Sequence, residues 1–134
     1  MFDGFDPSQY EDEARERWGR TDAYTEAARR VASYGDAEWR EIKAQAKEIE
    51  RLFAGLKRSG QPADVEPARA AAEQARLHID RSFYPCSREM HRALGEMYVA
   101  DPRFAVNYEK VEPGLAAYVR DAIAANAASA QAPA

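Results

Sequence analysis

Alanine is the residue that most constrains the fold of this chain, since it supplies 28 of the 134 residues. Isoleucine and valine together supply only ten. Alanine has the highest helix propensity, whereas β-branched residues favour strands. The imbalance argues against a β-sandwich or a parallel α/β sheet and predicts an all-α fold. The length fits one domain, and the shortage of large apolar side chains predicts a modest core.

Apolar spacing predicts a long helix over residues 36–58, with Asp36 as its cap and Gly60 and Pro62 after its end. Its buried stripe contains Trp39, Ile42, Ala46, Ile49, Phe53 and Leu56. A second helix is predicted from Asp64, with Pro67 in its first turn. Its buried face is formed by Ala68, Ala72, Ala75 and Ile79.

Three further helices are predicted in the second half of the chain, beginning at Cys86 or Ser87, at Asp101-Pro102 and at Glu112-Pro113. The first should end at Val99 and the second near Asn107. An aspartate or glutamate followed by proline is typical of a helix start. The inner face of the last helix should contain Leu115, Tyr118, Val119, Ala122 and Ile123.

The domain boundaries follow from the strength of these stripes. Residues 6–18 and 21–33 have helical spacing, but residues 1–33 carry five basic and eight acidic side chains and few large apolar ones. Such helices bury little surface alone, so we expect residues 1–33 to be a helical arm ordered on ligand binding. Residues 34–127 form the predicted folded helical core. Residues 128–134 are predicted to be a disordered tail.

Charge, hydropathy and cysteine content argue against several classes of protein. The net charge is −4, and the 19 basic and 23 acidic residues are interspersed. No basic stripe is present, which argues against nucleic acid as a partner of this chain. No apolar run reaches membrane-spanning length, and the acidic first twenty residues do not resemble a signal peptide. With one cysteine, no intramolecular disulfide can form, so we expect a cytoplasmic protein.

Cys86 is the candidate nucleophile. At the first turn of a helix, with Arg88 and His91 nearby, its thiolate would be favoured by positive potential. The alternative is that Cys86 is a small buried apolar residue, as free cysteines commonly are. His78 and His91 are the only histidines, and no catalytic triad or metal-ligand spacing is evident around them. We therefore predict no enzymatic activity, no metal and no cofactor.

Aromatic residues suggest a ligand site. Trp18 and Tyr24 lie in the arm, and Tyr84 and Tyr98 flank Cys86 in sequence. Most aromatic residues are core residues, but this distribution also suits a cleft for a flat, largely apolar ligand. Met90 would adapt to an irregular ligand shape.

Several segments together resemble the TipAS antibiotic-recognition domain family, the effector domain of MerR-type regulators. The most specific is Tyr84-Pro85-Cys86-Ser87-Arg88-Glu89-Met90-His91. The others lie at residues 10–19, 21–24, 94–99, 101–104, 113–118 and 120–123. The resemblance implies a globin-like helical fold without haem that binds thiopeptide antibiotics in a cleft. It also implies that Cys86 adds to a dehydroalanine of the drug to form a thioether, and that the N-terminal helices are mobile until they close over it.

We therefore predict a monomeric domain that binds and sequesters a macrocyclic peptide antibiotic and lacks its own DNA-binding domain. The predicted ligand-binding residues are Cys86, as the covalent attachment point, with Trp18, Tyr24, Tyr84, Met90, His91 and Tyr98. One alternative is a reversible sensor of another natural product or of several drugs, in which Cys86 only packs. A thiol enzyme is the third hypothesis, and the absence of a recognisable triad argues against it.

Overall fold

Helices account for the regular structure in the computed structural model, which describes residues 22–131 and, of their side chains, those of residues 25–129. Six α-helices and no strands lie in this part of the chain. They are α1 (Asp22–Ala32), α2 (Asp36–Arg58), α3 (Glu66–Ser82), α4 (Arg88–Ala100), α5 (Pro102–Val111) and α6 (Leu115–Gln131). The all-α prediction is confirmed.

Local signals explain where most helices begin. Ser87 caps α4 by accepting a hydrogen bond from the Met90 amide at 3.1 Å. Asp101 caps α5, with Pro102 in its first turn, as predicted. The cap of α2 is Gly35 and not Asp36. The Gly35 amide donates to Glu38 Oε1 at 3.2 Å, and Asp36 instead places its charge in the first turn, where the helix dipole favours it.

Several helix boundaries differ from those predicted from the sequence. α3 begins at Glu66, two residues after the predicted Asp64, and α5 continues past Asn107 to Val111. The last helix begins at Leu115 because residues 112–114 form a turn that contains Gly114 at φ 83°. The Glu109 carboxylate accepts hydrogen bonds from the amides of Gly114 (2.8 Å) and Ala116 (3.1 Å). Spacing alone cannot reveal this anchoring of the turn.

The core lies where α6 packs on both α4 and α3, and α3 in turn packs on α2. Gly95 on α4 faces α6, and a Cβ atom there would make ordinary van der Waals contacts, 3.4 Å from Ile123 Cδ1 and 3.5 Å from Arg120 Cα. On α3 the fully buried residues are small: Ala68, Ala71 and Ala72. The predicted inner face of the last helix is confirmed, since all five of its residues are buried. No helix among the described residues is both long enough and apolar enough to cross a bilayer.

The predicted N-terminal arm and C-terminal tail can be compared with the structure only in part. The helix predicted over residues 6–18 lies outside the described residues. In the remainder of the arm, α1 packs against α3, and Ala27 and Val31 contact the buried pair Ile42 and Phe83. At the other end, α6 continues to Gln131, so the disordered tail expected from residue 128 is not observed for residues 128–131. Alanine sustains the helix there, with Ala127 still buried.

Candidate functional site

Cys86 lies in the short connection between α3 and α4, and only 1% of its surface is exposed. Its amide donates to Asp80 Oδ1 at 2.8 Å, and its carbonyl accepts from Arg76 Nη1 at 2.7 Å. The thiol donates weakly to the Ser87 carbonyl, with an S···O distance of 3.7 Å. The backbone of the only cysteine is thus held to α3 on both sides of its Cα atom.

Four polar side chains form what we call the Glu73 cluster: Glu73, Arg76, Arg88 and Asn126. Arg76 bonds Glu73 through both ends of its guanidinium, at 2.9 Å from Nε and 2.5 Å from Nη2. Asn126 Nδ2 donates to the same carboxylate at 2.9 Å, and Arg88 Nη2 does so at 3.2 Å. The bonds to Arg76 above all lower the pKa of Glu73 to about 2. The cluster therefore joins α3, α4 and α6 through one ionised carboxylate.

Burial determines the protonation state of the thiol. It raises the pKa of Cys86 to about 12, while the charge of Arg76 opposes the rise and the carboxylates of Asp80 and Glu73 add to it. The sequence-based expectation that a helix terminus, Arg88 and His91 would favour the thiolate is therefore wrong for this conformation. Cys86 precedes the cap residue Ser87 and is not in the first turn of α4. Desolvation outweighs the favourable charge.

His91 is 1% exposed, and its Nδ1 atom has no hydrogen-bond partner in the described part of the protein. Burial lowers its pKa to about 4; the positive charge of Arg76 lowers it further, and the negative charge of Glu73 partly offsets this. The imidazole is therefore neutral near pH 7. Buried polar atoms without partners are rare in folded proteins, so the Nδ1 atom of His91 is an exception to the usual pairing of buried polar groups.

The predicted aromatic residues divide between core and periphery. Tyr98 is buried, with its ring centroid 5.8 Å from that of Phe104 and 5.6 Å from that of Tyr108. Tyr84 is half-buried. Burial raises the pKa of both Tyr84 and Tyr98. Tyr98 belongs to the same buried cluster as Cys86, and Tyr84 packs against that cluster. The structure thus brings Tyr84, Cys86 and Tyr98 together.

Three other predicted ligand residues are either exposed or have side chains that the structure does not describe. Met90, in the first turn of α4, is 36% exposed. Trp18 precedes the described residues, and Tyr24 lies in α1 but its side chain is among those not described.

A second apolar cluster lies beneath α1 and is formed by Tyr34, Trp39, Ile42 and Phe83. The rings of Tyr34 and Trp39 meet edge to face at 5.7 Å, and those of Trp39 and Phe83 are 6.3 Å apart. Tyr84 packs against both this cluster and the core that contains Cys86. A continuous apolar region therefore extends from the docked part of the arm to the cysteine.

Sequence reasoning missed the polar residues that hold the Cys86 connection. Glu73, Arg76 and Asp80 recur at three- and four-residue intervals on an otherwise alanine-rich helix. That polar stripe was a usable signal, because such spacing places side chains on one helical face. Asn126 gave no such signal. Among the described residues, no three histidine, cysteine or acidic side chains are grouped as a metal site.

Comparison with known proteins gives consistent matches. A family model described as the TipAS antibiotic-recognition domain matches residues 10–126. The chain is 53% identical over 127 residues to the HTH-type transcriptional activator TipA of Streptomyces coelicolor, covering 95% of this chain and 50% of that protein. It is 37% identical over 114 residues to the HTH-type transcriptional activator mta of Bacillus subtilis, covering 85% and 43%. The chain thus spans about half the length of the curated relatives it matches.

Two solved structures are also similar. One is TipAS of Streptomyces lividans in complex with nosiheptide, with 52% identity and a TM-score of 0.87 over 96% of this chain and 90% of that one. The other is the antibiotic binding domain of a TipA-class multidrug resistance transcriptional regulator. It has 50% identity and a TM-score of 0.64 over 70% of this chain and all of that one.

Proposed function

The chain belongs to the TipAS antibiotic-recognition domain family, as its motifs predicted, and we propose on this premise that it binds thiopeptide antibiotics and captures them through Cys86. The observation that carries the proposal is the match to TipAS bound to nosiheptide, at 52% identity and a TM-score of 0.87. The alignment with the TipA activator covers 95% of this chain and 50% of that protein, and the antibiotic-recognition family model spans residues 10–126 of the shared part.

The drug is proposed to occupy the apolar region between the arm and the helical core. Tyr84 and Tyr98 supply aromatic surface beside Cys86, and Trp18 and Tyr24 would close from the arm. His91 and Met90 complete the proposed contact set. Ordering the arm costs conformational entropy, which burial of the drug's apolar surface offsets. For α1, docking on α3 already supplies part of this order.

Capture requires a rearrangement, because Cys86 is only 1% exposed. The drug must first displace the side chains that cover the thiol. The thiol proton is then lost, and the sulfur adds to the terminal carbon of the dehydroalanine. The resulting carbanion takes up a proton, so that a thiol and an alkene become one thioether with no leaving group. Each protein molecule captures one drug molecule, which makes this stoichiometric binding and not turnover.

A second candidate is a sensor that binds its ligand reversibly, for another natural product or several drugs. The burial of Cys86 and its pKa of about 12 favour this candidate, because the thiolate is scarce in the closed conformation. In this case Cys86 serves only in packing.

Intact mass spectrometry after incubation with thiostrepton tests the covalent proposal. We expect the 134-residue chain to gain the mass of one drug molecule and Cys86→Ala to gain none. Cys86→Ser is the matched control, since it keeps a polar atom at the site with far lower nucleophilicity. An adduct on Cys86→Ala would place the nucleophile elsewhere.

Hydrogen exchange separates the two candidates. Protection of residues 6–33 by thiostrepton without a mass adduct would support reversible sensing. If thiostrepton and other dehydroalanine-containing peptides give neither an adduct nor protection, the covalent proposal is contradicted and these peptides are not the ligands of a reversible sensor. In the cell we propose a monomeric, cytoplasmic drug-sensing and resistance module that requires no metal or cofactor.

A further inference from the structure

Arg76 makes a hydrogen bond to the backbone of Cys86, and its own side chain is held in place by Glu73. Its guanidinium donates to the Cys86 carbonyl at 2.7 Å and bonds both oxygens of Glu73. Its side chain is only 15% exposed, compared with 42% for Arg88 in the same cluster. Asn126 anchors Glu73 from α6.

We propose that Arg76 is the positioning residue for Cys86: it fixes the connection that carries the thiol and keeps a positive charge beside the sulfur during addition to the drug. This inference rests on the proposed covalent function and deepens it. Arg88 and His91, which the sequence favoured for this role, make no hydrogen bond to Cys86 within the described part of the chain. Arg88 instead donates to Oε2 of Glu73.

Other charged and titratable groups near Cys86 also affect the ionisation of its thiol. Asp80 and Glu73 on α3 carry the opposing negative charges. Tyr98 on α4 shares the buried cluster of Cys86, and Tyr84 in the connection packs against that cluster. From about pH 6 to about pH 10 the carboxylate of Glu73 is ionised and His91 is neutral. Burial keeps both tyrosines protonated in this range. The charge of Arg76 is constant over it, because a guanidinium does not titrate there.

The test is the pH dependence of Cys86 alkylation by iodoacetamide, read as intact mass on the ligand-free 134-residue chain. Burial places the midpoint near pH 12, so the rate is measured between about pH 7 and pH 10, where it rises about tenfold per pH unit. The offset between the parallel lines of two variants gives the difference between their midpoints. Arg76→Gln removes the charge but keeps an N–H donor for the Cys86 carbonyl. We expect its midpoint to rise by about one pH unit, which slows alkylation below the midpoint about tenfold.

Two further variants distinguish the effect of the Arg76 charge from a general loosening of the connection. Glu73→Gln removes an opposing charge and should lower the midpoint, whereas a merely loosened connection would move both variants in one direction. Arg88→Gln is the matched control and should leave the midpoint unchanged. Circular dichroism verifies folding, and Glu73→Gln alone still tests the proposal if Arg76→Gln does not fold.

Equal midpoints in the wild type and Arg76→Gln would overturn the proposal, as would an equal shift in Arg88→Gln. If Arg76→Gln does not fold, an unchanged or raised midpoint in Glu73→Gln would overturn it. Because no antibiotic is used, this outcome is independent of whether thiostrepton forms an adduct. A missing adduct with the expected midpoints would contradict the proposed function and leave the role of Arg76 beside the thiol intact.

Discussion

His91 links a single residue to the pH dependence of folding. Its folded-state pKa is about 4, compared with 6.5 for an exposed histidine. Because the unfolded chain binds the proton more readily, stability is complete above about pH 6.5 and is lost as the pH falls toward 4. The shift corresponds to about 3 kcal/mol at most. Glu73, with its pKa lowered to about 2, extends the loss to lower pH by the same sign.

The substitution His91→Leu tests this assignment. Leucine has a similar volume and no titratable group, and it removes the buried Nδ1 atom that has no partner among the described residues. We expect the variant to show a flatter dependence of the free energy of unfolding on pH between about pH 7 and pH 4. Urea unfolding at a series of pH values measures it. Burial also lowers the pKa of His78, which supplies the remaining slope. Parallel curves for the two proteins would contradict the assignment.

At the scale of elements, α1 docks onto the carboxyl end of α3. Arg30 Nη1 donates to the carbonyls of Asp80 (2.5 Å) and Arg81 (3.2 Å), and the Tyr34 hydroxyl donates to that of Ser82 at 2.5 Å. These carbonyls belong to the last turn of α3, where no further helical turn supplies donors. The described part of the arm is therefore held by groups that cap α3 and by a small apolar contact.

Arg30→Ala should undock α1, with Arg29→Ala as the matched control. Arg29 has a side chain 69% exposed and bonds Glu26 within α1. Losing the charged hydrogen bonds of Arg30 should raise the exchange rates of α1 amides about tenfold or more. Hydrogen exchange followed by mass spectrometry measures this. If the two variants exchange alike, the α3 contacts do not hold the arm.

For the whole molecule, ligand binding and stability are linked. A ligand that binds only the folded state stabilises it, by about 2.7 kcal/mol at a hundredfold excess over the Kd. In a small domain we expect thiostrepton to raise the Tm by on the order of 10 °C, and more if the thioether forms. Thermal unfolding followed by circular dichroism measures it, with Cys86→Ala reporting the reversible part. A rise of only a few degrees at saturation would indicate that the arm is already folded without the drug.

Helix positions in this protein were largely predictable. The Asp101-Pro102 start of α5 and the inner face of α6 agree with the structure. Of the six residues predicted for the α2 stripe, Ile42 and Phe53 are buried and the other four are partly buried. The errors lie at the helix ends. A turn anchored by Glu109 makes α6 begin later than predicted, and the alanines of α6 extend this helix past residue 127. For the candidate site, Tyr84, Cys86 and Tyr98 were predictable from motifs, whereas Arg76 and Asn126 were not named. Periodicity places Arg76 on a polar face of α3, but it does not reveal the contact with Cys86 ten residues away, and nothing in the spacing links Asn126 to Glu73, 53 residues away.

The sequence by itself determined the helical class, the breaks between helices and the family, because these depend on short-range propensity, spacing and contiguous motifs. Only the tertiary structure decided the environment of the sulfur. Folding buries Cys86, pins its connection to α3 and raises its pKa, although the neighbouring sequence favours a thiolate. Desolvation is a property of packing among distant segments, and here it exceeds the charge effects that can be anticipated from nearby residues.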